Sequence, residues 1–122
     1  MKTILVADDA APVRQLIRTV LELAGGYQVL EAGDGVQALQ LALLEHPSLV
    51  ILDRRMAGLT GDEVCVELRA QPATRTVPVL IVTSVSGDDV QGYVLGAGAS
   101  AILHKPFHPD ELVSTVKKLL GE

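Results

Sequence analysis

Apolar residues in this chain come in short unbroken runs, separated by segments where they recur every three or four positions. Ile4-Leu5-Val6-Ala7, Leu49-Val50-Ile51-Leu52, Val79-Leu80-Ile81-Val82 and Ala101-Ile102-Leu103 are strand-sized and uninterrupted, the pattern of strands covered on both faces. Tyr27 to Glu31 alternates more, as an edge strand does. Behind Pro12, which a first helical turn tolerates, Val13, Leu16, Ile17, Val20 and Leu21 follow helical spacing until Gly25-Gly26 stops them. A second helix carries Ala38, Leu39 and Ala42 and ends at His46-Pro47. A third carries Val64, Cys65 and Leu68, and a last one Leu112, Val113, Val116, Leu119 and Leu120. Ser86 to Gly98 reads as a weaker helix, because Gly87, Gly92 and Gly96 each cost up to ~1 kcal/mol relative to Ala.

Strand and helix therefore alternate five times, with no linker, repeat or low-complexity stretch. Such alternation predicts an α/β fold: a three-layer, doubly wound, five-stranded parallel sheet with helices on both faces. Right-handed crossovers leave few other topologies. Residues 1–122 are expected to be one domain.

Composition sharpens this picture. Hydrophobic residues make up 48% of the chain but aromatics only 2%, namely Tyr27, Tyr93 and Phe107, so the core must be aliphatic. A net charge of −5 with no basic face and few stacking aromatics excludes direct nucleic-acid contact. No apolar run approaches the ~20 residues of a membrane span, and Asp8-Asp9 cut the first one too short for a signal peptide. The single Cys65 forms no internal disulfide. A soluble, cytoplasmic protein is expected.

In parallel sheets of this kind, sites form beyond the carboxyl ends of the strands. Those ends carry Asp8 and Asp9, then Asp53, Thr83 and Lys105. Three converging carboxylates repel one another, and Lys105 alone does not neutralise them. Hard oxygen donors favour Mg²⁺. The matching chemistry is phosphoryl transfer, with Asp53 as the nucleophile that becomes an acyl phosphate. Asp8 and Asp9 then hold the metal, while Thr83 and Lys105 bind the phosphoryl group.

These residues, with Leu52-Asp53-Arg54-Arg55-Met56, Gly58, Gly61, Pro78 to Thr83, Gly98-Ala99 and Lys105-Pro106-Phe107, resemble a response-regulator receiver domain of two-component signalling. The likeness is to the chemotaxis-regulator type, and it covers nearly the whole chain. The resemblance implies a (βα)5 flavodoxin-like fold and phosphorylation of Asp53 by a sensor histidine kinase or phosphotransfer protein. It implies Mg²⁺ held by Asp8, Asp9, Asp53 and the backbone carbonyl of Arg55, and a cis peptide before Pro106. It also implies a surface, formed by the fourth helix, fifth strand and last helix, that switches a downstream effector protein or a covalently linked output domain. On this reading the chain is no general enzyme, catalysing only its own phosphorylation and autodephosphorylation.

Four positions depart from the family pattern. Ile102 stands where an aromatic usually follows the Thr83 hydroxyl, so the switch pair Thr83–Ile102 must work by packing. Arg54 and Arg55 put two cations beside the nucleophile, to attract an anionic donor, pair with nearby acids or stand solvated. Ala57 replaces a frequent Pro, and Ser84 a frequent Ala.

Blander readings compete. Asp8-Asp9 alone is consistent with a helix N-cap. Gly33-Asp34-Gly35-Val36-Gln37-Ala38 matches a dinucleotide-binding pattern, but Asp34 sets a carboxylate where pyrophosphate must lie. His104 and His108 are separated by Pro106, which forbids the helix that would align them as ligands. Two rival functions are a phosphorylation-independent interaction domain and a haloacid-dehalogenase-type phosphatase. The latter needs a second Asp at position 55, which is Arg.

Overall fold

Each apolar run becomes a strand because both of its alternating sides are buried. The computed structural model describes residues 1–84 and 96–122. Its strands are β1 (Thr3–Ala7), β2 (Gln28–Ala32), β3 (Leu49–Asp53), β4 (Val79–Thr83) and β5 (Ala101–His104). They form one parallel sheet in the order β2-β1-β3-β4-β5, so the alternating Tyr27–Glu31 segment does lie at an edge. The helices among the described residues are α1 (Ala11–Gly25), α2 (Gly35–Glu45), α3 (Gly61–Ala70) and α4 (Pro109–Leu119). Most of the weak helix expected from Ser86 to Gly98 lies outside the described residues.

The three layers follow from strand parity. Ile4, Val6, Leu49, Ile51, Leu80 and Val82 pack with Ile17 and Leu21 of α1 and Leu112 and Val116 of α4. Their neighbours Leu5, Ala7, Val50, Leu52, Val79 and Ile81 pack on the other face with Ala38, Ala42, Val64, Cys65 and Leu68 of α2 and α3. Cys65 is a fully buried core residue.

Local chemistry sets the helix ends. Gly26 closes α1 in the left-handed region (φ 64°), its N–H donating to the Glu22 carbonyl. Thr60 and Glu63 form a reciprocal capping box on α3. His108 caps α4 through Nδ1, which accepts the Asp110 N–H at 3.1 Å, so its role is in the fold. The dinucleotide-like motif is likewise structural. Asp34 accepts the Gln37 N–H at 2.8 Å as the N-cap of α2. Gly35 donates its N–H to the Ala57 carbonyl at 3.0 Å, packing α2 onto the loop before α3.

That packing leaves no room for a side chain, since a Cβ on Gly35 would fall 1.9 Å from the Leu59 carbonyl oxygen. At Gly33 the nearest atom, on Arg14, is 3.7 Å away. Gly35→Ala is therefore expected to cost about 3 kcal/mol in urea unfolding, the upper end for overpacking, and Gly33→Ala under about 1 kcal/mol. Equal effects at the two positions would contradict this account.

Candidate phosphoryl-transfer site

The strand ends β1, β3 and β4, with the residue following β5, deliver the polar groups to one edge of the sheet. Asp8 follows β1 and is 2% exposed. Its N–H continues the ladder to Ala32, its Oδ1 accepts the Ala10 N–H at 2.9 Å, and its carbonyl accepts Arg14 Nη1 at 2.7 Å. The N-cap residue of α1 is Ala10, without a side-chain cap, so the acidic pair is no helix cap. Asp53 ends β3 opposite Val82. Thr83, almost fully buried, ends β4, and its carbonyl accepts the Lys105 N–H at 2.8 Å.

That backbone bond sets Lys105 at the centre. Its Nζ lies 3.2 Å from Asp8 Oδ2 and 3.5 Å from Asp53 Oδ2. The Lys105–Pro106 peptide is cis, as the resemblance implied. One carboxylate oxygen from each of buried Asp8, exposed Asp9 and half-buried Asp53 lies within 4.8 Å of the other two. Such a set of hard anionic donors fits a small divalent cation such as Mg²⁺. Burial, and then the Asp8 charge, push the Asp53 carboxyl above its ordinary range, while Lys105 and the Arg55 backbone N–H pull it back.

The remaining expected residues are placed as follows. Ile102 pairs with Ile81 in register and packs, half-buried, on the α2–α3 side of the sheet. By strand parity it shares that face with Thr83. Arg55 is exposed, whereas Arg54 pairs with Asp62 (Nε to Oδ2, 3.0 Å).

Two contributors escaped the sequence reading. Arg14 ties Asp8 to Glu31, its Nε lying 2.9 Å from Glu31 Oε1. Asp62 receives Arg54 across the β3–α3 loop. Neither pair has a sequence-spacing signal, because each closes only when strands and loop come together.

A family model described as "Response regulator receiver domain" matches residues 4–117. The chain belongs to the response-regulator receiver family. Receiver domains are the phosphorylation switches of two-component response regulators. The chain is 37% identical over 119 residues to the phosphate regulon transcriptional regulatory protein PhoB of Pseudomonas aeruginosa, covering 98% of this chain and 52% of PhoB. It thus spans about half the length of that relative. A putative response regulator from Chloroflexus aurantiacus superposes with a TM-score of 0.93 at 36% identity, over 99% of this chain and 98% of that one. The receiver domain of the sensor histidine kinase PA1611 from Pseudomonas aeruginosa superposes at 0.87 and 30% identity, over 99% and 98%. That protein has a magnesium ion coordinated in its active-site cleft. The two rival functions are not favoured beside these likenesses.

The raised Asp53 carboxyl has a consequence for this receiver's stability. A carboxyl whose folded pKa lies above its unfolded value contributes stability while protonated, which is lost as pH rises through the folded pKa. Asp53→Asn in metal-free buffer is therefore expected to raise the urea midpoint at pH 7. The gain should close as pH falls below the ordinary value near 3.8. A lower midpoint at pH 7 would contradict the assignment.

Proposed function

We propose that this receiver accepts a phosphoryl group on Asp53 in an Mg²⁺-dependent reaction and thereby switches a partner-binding surface. The observation that carries this reading is the Lys105 ammonium between Asp8 and Asp53, with Asp9 alongside. Asp8, Asp9, Asp53 and the Arg55 carbonyl would hold the cation, which when bound supplies positive charge to the phosphoryl oxygens.

An Asp53 carboxylate oxygen attacks phosphorus. The bond from phosphorus to the donor breaks as the new one forms, and its electron pair leaves with the donor. Lys105 pairs with one phosphoryl oxygen and Thr83 donates its hydroxyl to another, so both residues are drawn toward the new group. A sensor histidine kinase or phosphotransfer protein is the physiological donor. The chain turns over only its own acyl phosphate.

Movement of Thr83 biases the structure between two packings. Ile102, on the same face, carries the change by packing, since it has no ring or hydroxyl. β5 and α4 present the result to an effector protein or a covalently linked output domain. Most of the helix expected from Ser86 to Gly98, which would share this surface, lies outside the described residues. The receiver itself makes no nucleic-acid contact, in keeping with its net charge of −5. Among the described residues no helix is long and apolar enough to cross a membrane, consistent with a cytoplasmic site of action.

Incubation with acetyl phosphate and Mg²⁺ followed by mass spectrometry tests the reading. One phosphoryl adduct is expected, absent in Asp53→Asn and after chelation of the metal. Lys105→Ala should slow its formation roughly 10²-fold, as loss of one preorganised donor does. No adduct from acetyl phosphate or a cognate kinase would favour a phosphorylation-independent interaction domain.

A further inference from the structure

The loop that carries the acidic pair lacks the usual support of a helix start. Ala10, the N-cap of α1, offers no side-chain cap, and no acid stands in the first turn. Asp8 is held through its side chain by Lys105 and by the Ala10 N–H. Asp9 is exposed, and among the described residues its carboxylate makes no hydrogen bond or ion pair. Its place beside the other two carboxylates therefore depends on the backbone that carries it.

That backbone is fixed at one atom. The Asp8 carbonyl belongs to the planar peptide joining Asp8 to Asp9, so holding its oxygen holds the plane from which Asp9 departs. The oxygen accepts Arg14 Nη1 at 2.7 Å, a short charge-assisted bond. The same guanidinium is anchored by Glu31, its Nε donating to Oε1 at 2.9 Å. Glu31 lies on β2 in register with Val6 of β1, so the anchor is part of the sheet. Arg18 Nη1 donates to the other Glu31 oxygen at 2.9 Å. This bond first, against burial, and Arg14 after it hold the Glu31 carboxyl below its ordinary range and keep it anionic. The Arg14 and Glu31 side chains are 19% and 21% exposed, and pairs near the surface add little to stability. What the fork supplies is geometry, because one planar guanidinium spans a β2 carboxylate and the β1–α1 peptide.

We infer that Arg14, anchored by Glu31, is a positioning residue for the metal-binding pair, holding the Asp8–Asp9 peptide so that the Asp9 carboxylate stays beside those of Asp8 and Asp53. The inference rests on these three carboxylates holding Mg²⁺. Arg14 bonds the backbone of the pair and none of its carboxylates. Outer partners of this kind tune metal affinity through the ligands they orient. The sign of the effect separates positioning from charge. Deleting a nearby cation favours a divalent ion, because a repulsion is removed. Releasing the peptide does the opposite, since the three carboxylates must then be gathered against their mutual repulsion. A side chain that only stabilised the fold would leave the affinity of the folded protein unchanged.

The test compares the full chain with Arg14→Met and Arg14→Lys, both below their unfolding midpoints. Arg14→Met keeps the apolar stem without the donors, and Arg14→Lys keeps the charge without the fork. Mg²⁺ affinity is measured by calorimetry without a phosphoryl donor, and phosphoryl uptake from acetyl phosphate is followed against Mg²⁺ concentration. Arg14→Met should bind Mg²⁺ roughly tenfold more weakly, yet reach within about twofold of the wild-type uptake rate at saturating Mg²⁺. Arg14→Lys, one ammonium for two acceptors, should bind about threefold more weakly than wild type. If Arg14→Met folds poorly, Arg14→Lys carries the test, since charge alone predicts no change there. An Arg14→Met affinity equal to or above that of wild type would overturn the inference, as would an unchanged Arg14→Lys affinity. Asp9→Asn separates the two readings. If it binds Mg²⁺ as tightly as wild type, or wild type binds none, the metal-site reading fails, and this inference with it.

Discussion

Lys105 places one ammonium 3.2 Å from Asp8 and 3.5 Å from Asp53, with Asp9 close by. One cation does not balance three carboxylates, and the fold must hold these like charges together against their repulsion. It does so by anchoring each at a strand end, where the backbone is fixed by neighbouring strands and the side chains beneath are wholly apolar. Asp8 is the most constrained, with backbone or side-chain bonds to Ala32, Ala10, Arg14 and Lys105. The raised Asp53 carboxyl is the electrostatic trace of that compression, and the same net negative charge is what invites a divalent cation.

Tolerance of this strain depends on close backbone packing around the site. Gly35 lets α2 meet the β3–α3 loop, and Gly61 lets α3 approach the Asp53 carbonyl. Both glycines act by lacking a Cβ, and neither has a left-handed backbone. The loop carrying Arg54 and Arg55 is thereby clamped between α2, α3 and β4. Arg54 belongs to this clamp through Asp62, whereas Arg55 faces solvent and is open to an incoming partner.

The strands and their order of succession were legible because four runs are apolar on both sides of the sheet and the fifth, β2, alternates as an edge strand does. Helices α1, α3 and α4 were legible in their stripes, and all of the stripe residues Val64, Cys65 and Leu68 are fully buried. Asp8, Asp9, Asp53, Thr83 and Lys105 were legible because parallel strands deliver their last residues to a common edge. Arg14 and Asp62 were not, since their partners lie on other elements and nothing in the spacing joins them. The Gly33-Asp34-Gly35 motif misleads for a related reason: a glycine needed for packing against Leu59 reads the same as one needed for phosphate.

The sequence by itself determined the layer architecture and the inventory of charged groups at the strand ends, since burial on two faces and strand direction are local consequences of residue pattern. Only the tertiary structure decided which charges meet. It placed Lys105 between Asp8 and Asp53, turned Arg54 to Asp62, and set Ile102 opposite Ile81 on the face shared with Thr83. Those contacts depend on strand order and loop closure, and hydrogen-bond and ion-pair energies fall off over distances far shorter than the separations along the chain.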